Sequence, residues 1–171
     1  MTGLGGRKTS GRDPLTPEQR RHNMSRIRGR DTKPELILRR SLHAAGLRYR
    51  LQGRGLPGRP DLVFAARHAV VFVHGCFWHG HDCPMFRLPA TRAEFWSGKI
   101  SGNRARDART AAALADSGWR ILTVWECALR GLARRPVEAV TAQAQAFLAG
   151  SAPGLEIEGD WPAARAAAQQ G

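Results

Sequence analysis

RPDLVFAARHAVVFVHGCFWHGHDC, Arg59 to Cys83, sets a carboxylate at the start of one apolar run and follows a second apolar run with three histidines and two cysteines around a Phe-Trp pair. Within it, Ala69 to Val73 (AVVFV) is β-branched and aromatic, bounded by Ala66-Arg67-His68 and by Gly75. It reads as a central strand flanked by helices. Its C-terminal end is therefore where chemistry is expected. His74, Cys76, His79, His81 and Cys83 fall within ten positions past that end. So dense a set of nitrogen and sulfur ligands indicates a metal-bearing site.

Working outward, Asp61 to Ala65 reads as a strand that returns through Arg67-His68 as a hairpin, and Leu47 to Leu51 as an earlier strand, giving an antiparallel meander of three. Upstream, Asp31 is expected to cap a helix from Thr32 to Ala45 that carries Leu36, Ile37, Leu38 and Leu42 near one face, with Glu35 on an adjoining one. A shorter helix is expected from Thr16 to Arg28, with Pro17 in its first turn. Downstream, Thr91-Arg-Ala-Glu94 reads as a capping box opening a helix to Ser117. Trp119 to Trp125 (WRILTVW) then lies parallel to the central strand. A last helix is expected from Arg134 to Ala149. The fold class is α/β, a mixed central sheet with helices on both faces. Residues 1–15 read as a disordered basic arm, 16–149 as a single domain, and 150–171 as a flexible tail.

The chain has 171 residues, 42% of them apolar, and carries a formal charge of +13 from 27 basic against 14 acidic residues. Twenty-four of the basic residues are arginine, and Arg7, Arg12, Arg20, Arg21, Arg26, Arg28, Arg30, Arg39 and Arg40 precede any expected strand. That clustering points to nucleic acid as the partner. MTGLGGRKTSGRDP lacks the apolar segment of a signal peptide and no run is long enough to span a membrane, so a cytoplasmic protein is expected. Three cysteines cannot all pair, and their clustering in a reducing compartment favours Zn²⁺ over disulfides.

Cys76-x4-His81-x-Cys83 with Cys127 makes a Cys₃His set, closed and hence structural, because no coordination position is left for water, or alternatively the small cysteines pack without metal and His81 faces solvent. Asp61 at a strand start suits a hard divalent cation, or alternatively caps a surface turn after Pro60. Phe77 and Trp78 lie in a polar loop, where they either insert into a base stack or fold back over the zinc site. Lys99, Asn103 and Arg106 recur at i, i+4 and i+7 on the long helix, a stripe that faces DNA or solvent.

Five runs are similar to the very short patch repair (Vsr) endonuclease family: LPGRPD (Leu56 to Asp61), HGCFWHGHDC (His74 to Cys83), PATRAEFW (Pro89 to Trp96), KISGNRARD (Lys99 to Asp107) and GWRILTVWECALRG (Gly118 to Gly131). The resemblance covers about residues 18 to 131. It implies a restriction-endonuclease-like core and an enzyme that nicks DNA 5′ to the thymine of a T:G mismatch left by deamination of 5-methylcytosine, with two Mg²⁺ as cofactors. By this similarity Asp61 bridges the Mg²⁺ ions and Val73 contributes its backbone carbonyl. His79 is the general base, Asp107 orients it, and His74 and Glu35 hold the waters of the metal sites. Cys76, His81, Cys83 and Cys127 hold the zinc, and Phe77, Trp78 and Trp96 form an aromatic wedge beside the mismatch. The chain departs from the general pattern of restriction-type nucleases, since Phe72-Val73-His74 offers neither a second carboxylate nor a lysine. A mismatch has no two-fold symmetry, so a monomer is expected, with contacts to other repair proteins and a place on the bacterial nucleoid.

Overall fold

The computed structural model describes Thr16 and residues 30–161. The basic arm and the body of the helix expected up to Arg28 lie outside the described residues. In chain order the elements are α1 (Lys33–Ala44), β1 (Arg50–Leu51), β2 (Leu62–Phe64), β3 (Ala69–His74), α2 (Ala93–Asp116), β4 (Arg120–Trp125), α3 (Glu126–Leu129), α4 (Val137–Ala149) and β5 (Gly154–Ile157). The strands form one mixed sheet in the order β1-β2-β3-β4-β5. β1 to β3 are antiparallel, whereas β3 and β4 run parallel from Ala69↔Arg120 to His74↔Trp125. The long α2 crossover makes the parallel pairing possible, because it returns the chain to the edge from which β3 started.

Alternation along the strands divides the interior in two. Leu62, Phe64, Ala69, Val71, Leu122 and Val124 pack with Leu38 and Leu42 of α1, Ala128 of α3 and Val140, Ala144 and Phe147 of α4. Val63, Val70 and Phe72 point the other way, under Leu114 of α2. Helices thus cover both faces, as the apolar run of β3 requires. Among the described residues no helix is long and apolar enough to cross a membrane.

Several local expectations are corrected. Thr32, not Asp31, caps α1: the Glu35 N–H donates to Thr32 Oγ1 (3.5 Å) and the Thr32 N–H to Glu35 Oε2 (3.3 Å), a reciprocal box with Pro34 in the first turn. Asp31 instead accepts from the Arg39 guanidinium at 2.6 Å. The box expected at Thr91 to Glu94 does not form. Arg92 precedes α2 in the left-handed region (φ 56°), with its guanidinium 4.5 Å over the Phe95 ring. The β2–β3 hairpin is a 3-10 turn, Ala65–Arg67, closed by His68 at φ 48°. The first strand shrinks to two residues, and α4 starts at Val137 behind Pro136. The stretch from Gly150, expected to be flexible, contributes β5, which pairs in parallel with β4 from Ile121↔Gly154 to Val124↔Ile157 and buries Ile157.

Candidate active site and metal centre

The C-terminal ends of β3 and β4 open into a cleft of about 760 Å³ beneath α2, lined by Asp61, Val73, His74, His79 and Trp125 on one side and by Arg104 and Asp107 on the other. Asp61 reaches it through the turn Gly58-Arg59-Pro60. Gly58 and Arg59 both adopt positive φ (69° and 52°), and a Cβ on Gly58 would collide with Thr110 of α2, so glycine is what lets this turn press against the helix. The Val73 N–H then donates to Asp61 Oδ2 at 2.7 Å, tying the start of β2 to the end of β3.

Burial pushes the Asp61 carboxyl up to about 6, against the opposing pull of the Val73 N–H and Arg39, and Glu35 adds to the rise. Glu35 is itself 3% exposed, with Oε1 accepting from Arg39 at 3.2 Å. A buried and a half-buried carboxylate in electrostatic reach of each other, with Arg39 acting on both, fit a hard divalent cation.

His74 and His79 stack with ring centroids 3.8 Å apart and planes 4° from parallel. His79 Nδ1 lies 2.6 Å from Asp107 Oδ2, which leaves Nε2 as the nitrogen free to work in the cleft. Burial, with His79 next in weight, pushes His74 down to about 3, so it stays neutral at physiological pH. The loop holding His79 is fixed from α2: the Asn103 amide donates to the Trp78 carbonyl at 2.8 Å, and Arg106 donates to Asn103 Oδ1 at 3.2 Å. Of the expected stripe, Asn103 therefore serves the loop, while Lys99 and Arg106 are exposed.

Cys76, His81, Cys83 and Cys127 bring their ligand atoms within 4.8 Å of one another, the three cysteines being buried. His81 Nδ1 is 3.7 Å from Cys76 Sγ and 3.5 Å from Cys127 Sγ. A tetrahedral ion with ordinary zinc–sulfur and zinc–nitrogen bonds has such edges at about 3.6 Å. A hydrogen bond with Cys127 and burial push the Cys76 thiol up, and burial pushes Cys83 up to about 11. Three thiolates do not share such a pocket unaided, whereas a dication reverses the balance. The set can hold a metal ion.

Phe77, Trp78 and Trp96 form one aromatic cluster with centroids 5.1 to 6.1 Å apart, all near edge-to-face. They are half-buried, beside the exposed Phe95, which sequence reasoning did not single out. Also missed were Arg104 on the cleft wall and Glu158, whose Oε2 lies 3.1 Å from His81 Nε2. Glu158 follows a strand that the Gly- and Ala-rich tail did not announce.

A family model described as DNA mismatch endonuclease Vsr matches residues 12–85. The DNA mismatch endonuclease Vsr of Escherichia coli K12 is 45% identical over 139 residues, 81% of this chain and 89% of that protein. The chain belongs to the Vsr family. Two further relatives are named as type II nicking enzymes. V.XorIIP of Xanthomonas oryzae is 52% identical over 70% of this chain and 88% of its own, and V.NmeAIP of Neisseria meningitidis is 38% identical over 71% and 86%. The family-model match spans Glu35, Asp61, the two stacked histidines and three of the four members of the Cys₃His set, and ends before Asp107 and Cys127.

Proposed function

We propose that this Vsr-family protein is a Mg²⁺-dependent DNA mismatch endonuclease with a restriction-endonuclease-like core, which nicks 5′ to the thymine of a T:G pair and so starts very short patch repair. The observation that carries the reading is the convergence of the His79–Asp107 pair and the half-buried Asp61 in one cleft. Two relatives named for nicking and one named for mismatch cleavage support it.

When bound by Asp61 and the Val73 carbonyl, Mg²⁺ would supply positive charge to the attacking and leaving oxygens of the phosphodiester. His79 takes the proton from the attacking water through Nε2. Asp107 holds the ring in the tautomer that leaves Nε2 unprotonated, and stabilises the imidazolium once it forms. His74, neutral against the His79 face, and Glu35 orient water at the site without adding positive charge. The Cys₃His set holds a structural Zn²⁺. Phe77, Trp78 and Trp96 insert beside the mismatch, whose weaker pairing lowers the cost of unstacking. Lys99, Arg106 and the arginine-rich N-terminal residues hold phosphates. The protein acts as a monomer on the nucleoid, in contact with other repair proteins.

The test is incubation with Mg²⁺ and an end-labelled duplex bearing one T:G pair. A nick confined to the thymine strand is expected. Binding without cleavage under any divalent cation would replace the enzyme with a zinc-stabilised DNA-binding module.

A further inference from the structure

The residues after β5 lie against the Cys₃His set although none of them belongs to it. Glu158 Oε2 is 3.1 Å from His81 Nε2, on the side of the ring away from the sulfurs, which face Nδ1. The Gly159 N–H donates to Cys127 Sγ at 3.4 Å. A Cβ at Gly159 would run into the carbonyl oxygens of Cys127 and Ala133 and the ring of Trp161. The Asp160 N–H donates to the Ala133 carbonyl at 2.7 Å, and Trp161 packs on the cysteine cluster with its ring 5.7 Å from that of His81.

We propose that residues 158–161 are an outer strap of the metal centre, in which Glu158 is the positioning residue for His81. The chemistry follows from the ring's two nitrogens. If Nδ1 is to give its lone pair to the ion, the proton must sit on Nε2, and a carboxylate at Nε2 both fixes that tautomer and makes Nδ1 a stronger donor. The Gly159 N–H stabilises the charge that Cys127 acquires as a thiolate. Metal binding in turn fastens the segment that carries β5, the outer strand against β4. The inference rests on the metal-site reading and is independent of catalysis.

The experiment uses the full chain and Zn²⁺ or Co²⁺ alone. Zinc affinity is measured by competition with a chromophoric chelator for wild type, Glu158→Gln and Asp160→Asn, the last removing the same charge from an exposed position two residues on. Glu158→Gln is expected to weaken zinc binding ~10- to 100-fold. It should keep the tetrahedral visible bands and thiolate charge transfer of the Co²⁺ form, whereas Asp160→Asn stays within twofold of wild type. Amide exchange on wild type should show residues 154–161 losing protection when the ion is chelated, ahead of α1 and α4. Equal affinity in Glu158→Gln, or protection of the strap unchanged by chelation, overturns the proposal while leaving the metal site standing. Failure of wild type to hold a tight ion overturns both.

Discussion

Asp61→Asn separates the chemistry of the cleft from its architecture. Asn keeps the shape and can still accept from the Val73 N–H, which now donates to Asp61 Oδ2 at 2.7 Å. It removes a charge that the fold holds at a cost. Burial raises the Asp61 carboxyl from 3.8 to about 6, so ionising it in the magnesium-free protein at pH 7 costs stability on the order of 3 kcal/mol. The sign follows from proton counts. Between these two values the folded state binds more protons than the unfolded one, so this group's cost is absent in acid, grows as pH rises from about 4 through 6, and is full by pH 7.

In magnesium-free, zinc-loaded protein, Asp61→Asn should therefore be more stable than wild type by ~1 to 3 kcal/mol at pH 7, with the gap mostly closed at pH 4. Urea unfolding at both pH values measures this. In the same variant, single-turnover nicking of a T:G duplex with Mg²⁺ should fall by ~10³-fold or more, because several kcal/mol of cation stabilisation are lost. Affinity for the duplex should persist, since the arginines proposed to hold phosphates are elsewhere. Protons and Mg²⁺ compete for one carboxylate, so the acid limb of the wild-type rate profile should move to lower pH as Mg²⁺ rises. A variant that nicks at the wild-type rate, or that is destabilised at pH 7, refutes the reasoning.

Three further outcomes are expected. His79→Ala should lower the nicking rate by ~10²- to 10⁴-fold with duplex affinity kept, and Asp107→Asn should do so more mildly; a loss of affinity matching the loss of rate would argue against a base. Cys127→Ser should retain less than half an equivalent of zinc by elemental analysis and melt ~10 °C lower, the cost of a structural ion; full zinc content and an unchanged melting point would remove Cys127 from the set. Phe77→Ala, Trp78→Ala and Trp96→Ala should each weaken T:G binding by roughly 1 to 3 kcal/mol while matched-duplex binding at the same salt changes less. Equal losses on both duplexes would mean that the cluster only packs.

What the sequence made legible was periodic or dense. The unbroken apolar runs through Leu62–Phe64 and Ala69–Val73 specified two-sided burial, and α2's length specified the parallel return to β4. Three ligands of the Cys₃His set stood out because five His and Cys residues crowd positions 74–83, while Cys127 joins them from α3. Illegible were features set by backbone conformation and by specific partners that composition does not report. Thr91 to Glu94 has the composition of a capping box, yet Arg92 takes a left-handed conformation with its cation over Phe95, a contact that local propensity does not weigh. β5 carries only Leu155 and Ile157 as large apolar residues and forms because β4 presents an unpaired edge. Asn103 looked like part of a polar stripe, and the role it has depends on a carbonyl 25 residues earlier.

The two sites are also mechanically one. Residues 77–79, proposed to supply the wedge and the base, lie in a loop with no helix or strand of its own, and such a loop loses its geometry to chain entropy unless both ends are held. Cys76 and His81 bracket those residues, so an ion at the Cys₃His set closes the loop immediately on either side of them. Trp125, the last residue of β4, stacks on His81 with centroids 4.0 Å apart and meets His74 edge-on at 5.3 Å. His74 is in turn paired with Trp125 across the sheet and stacked on His79. An ion held here rather than elsewhere in the fold would thus stiffen the proposed general base, His79, since the strand ends that bound the cleft and the ligands that bound the loop share one tryptophan.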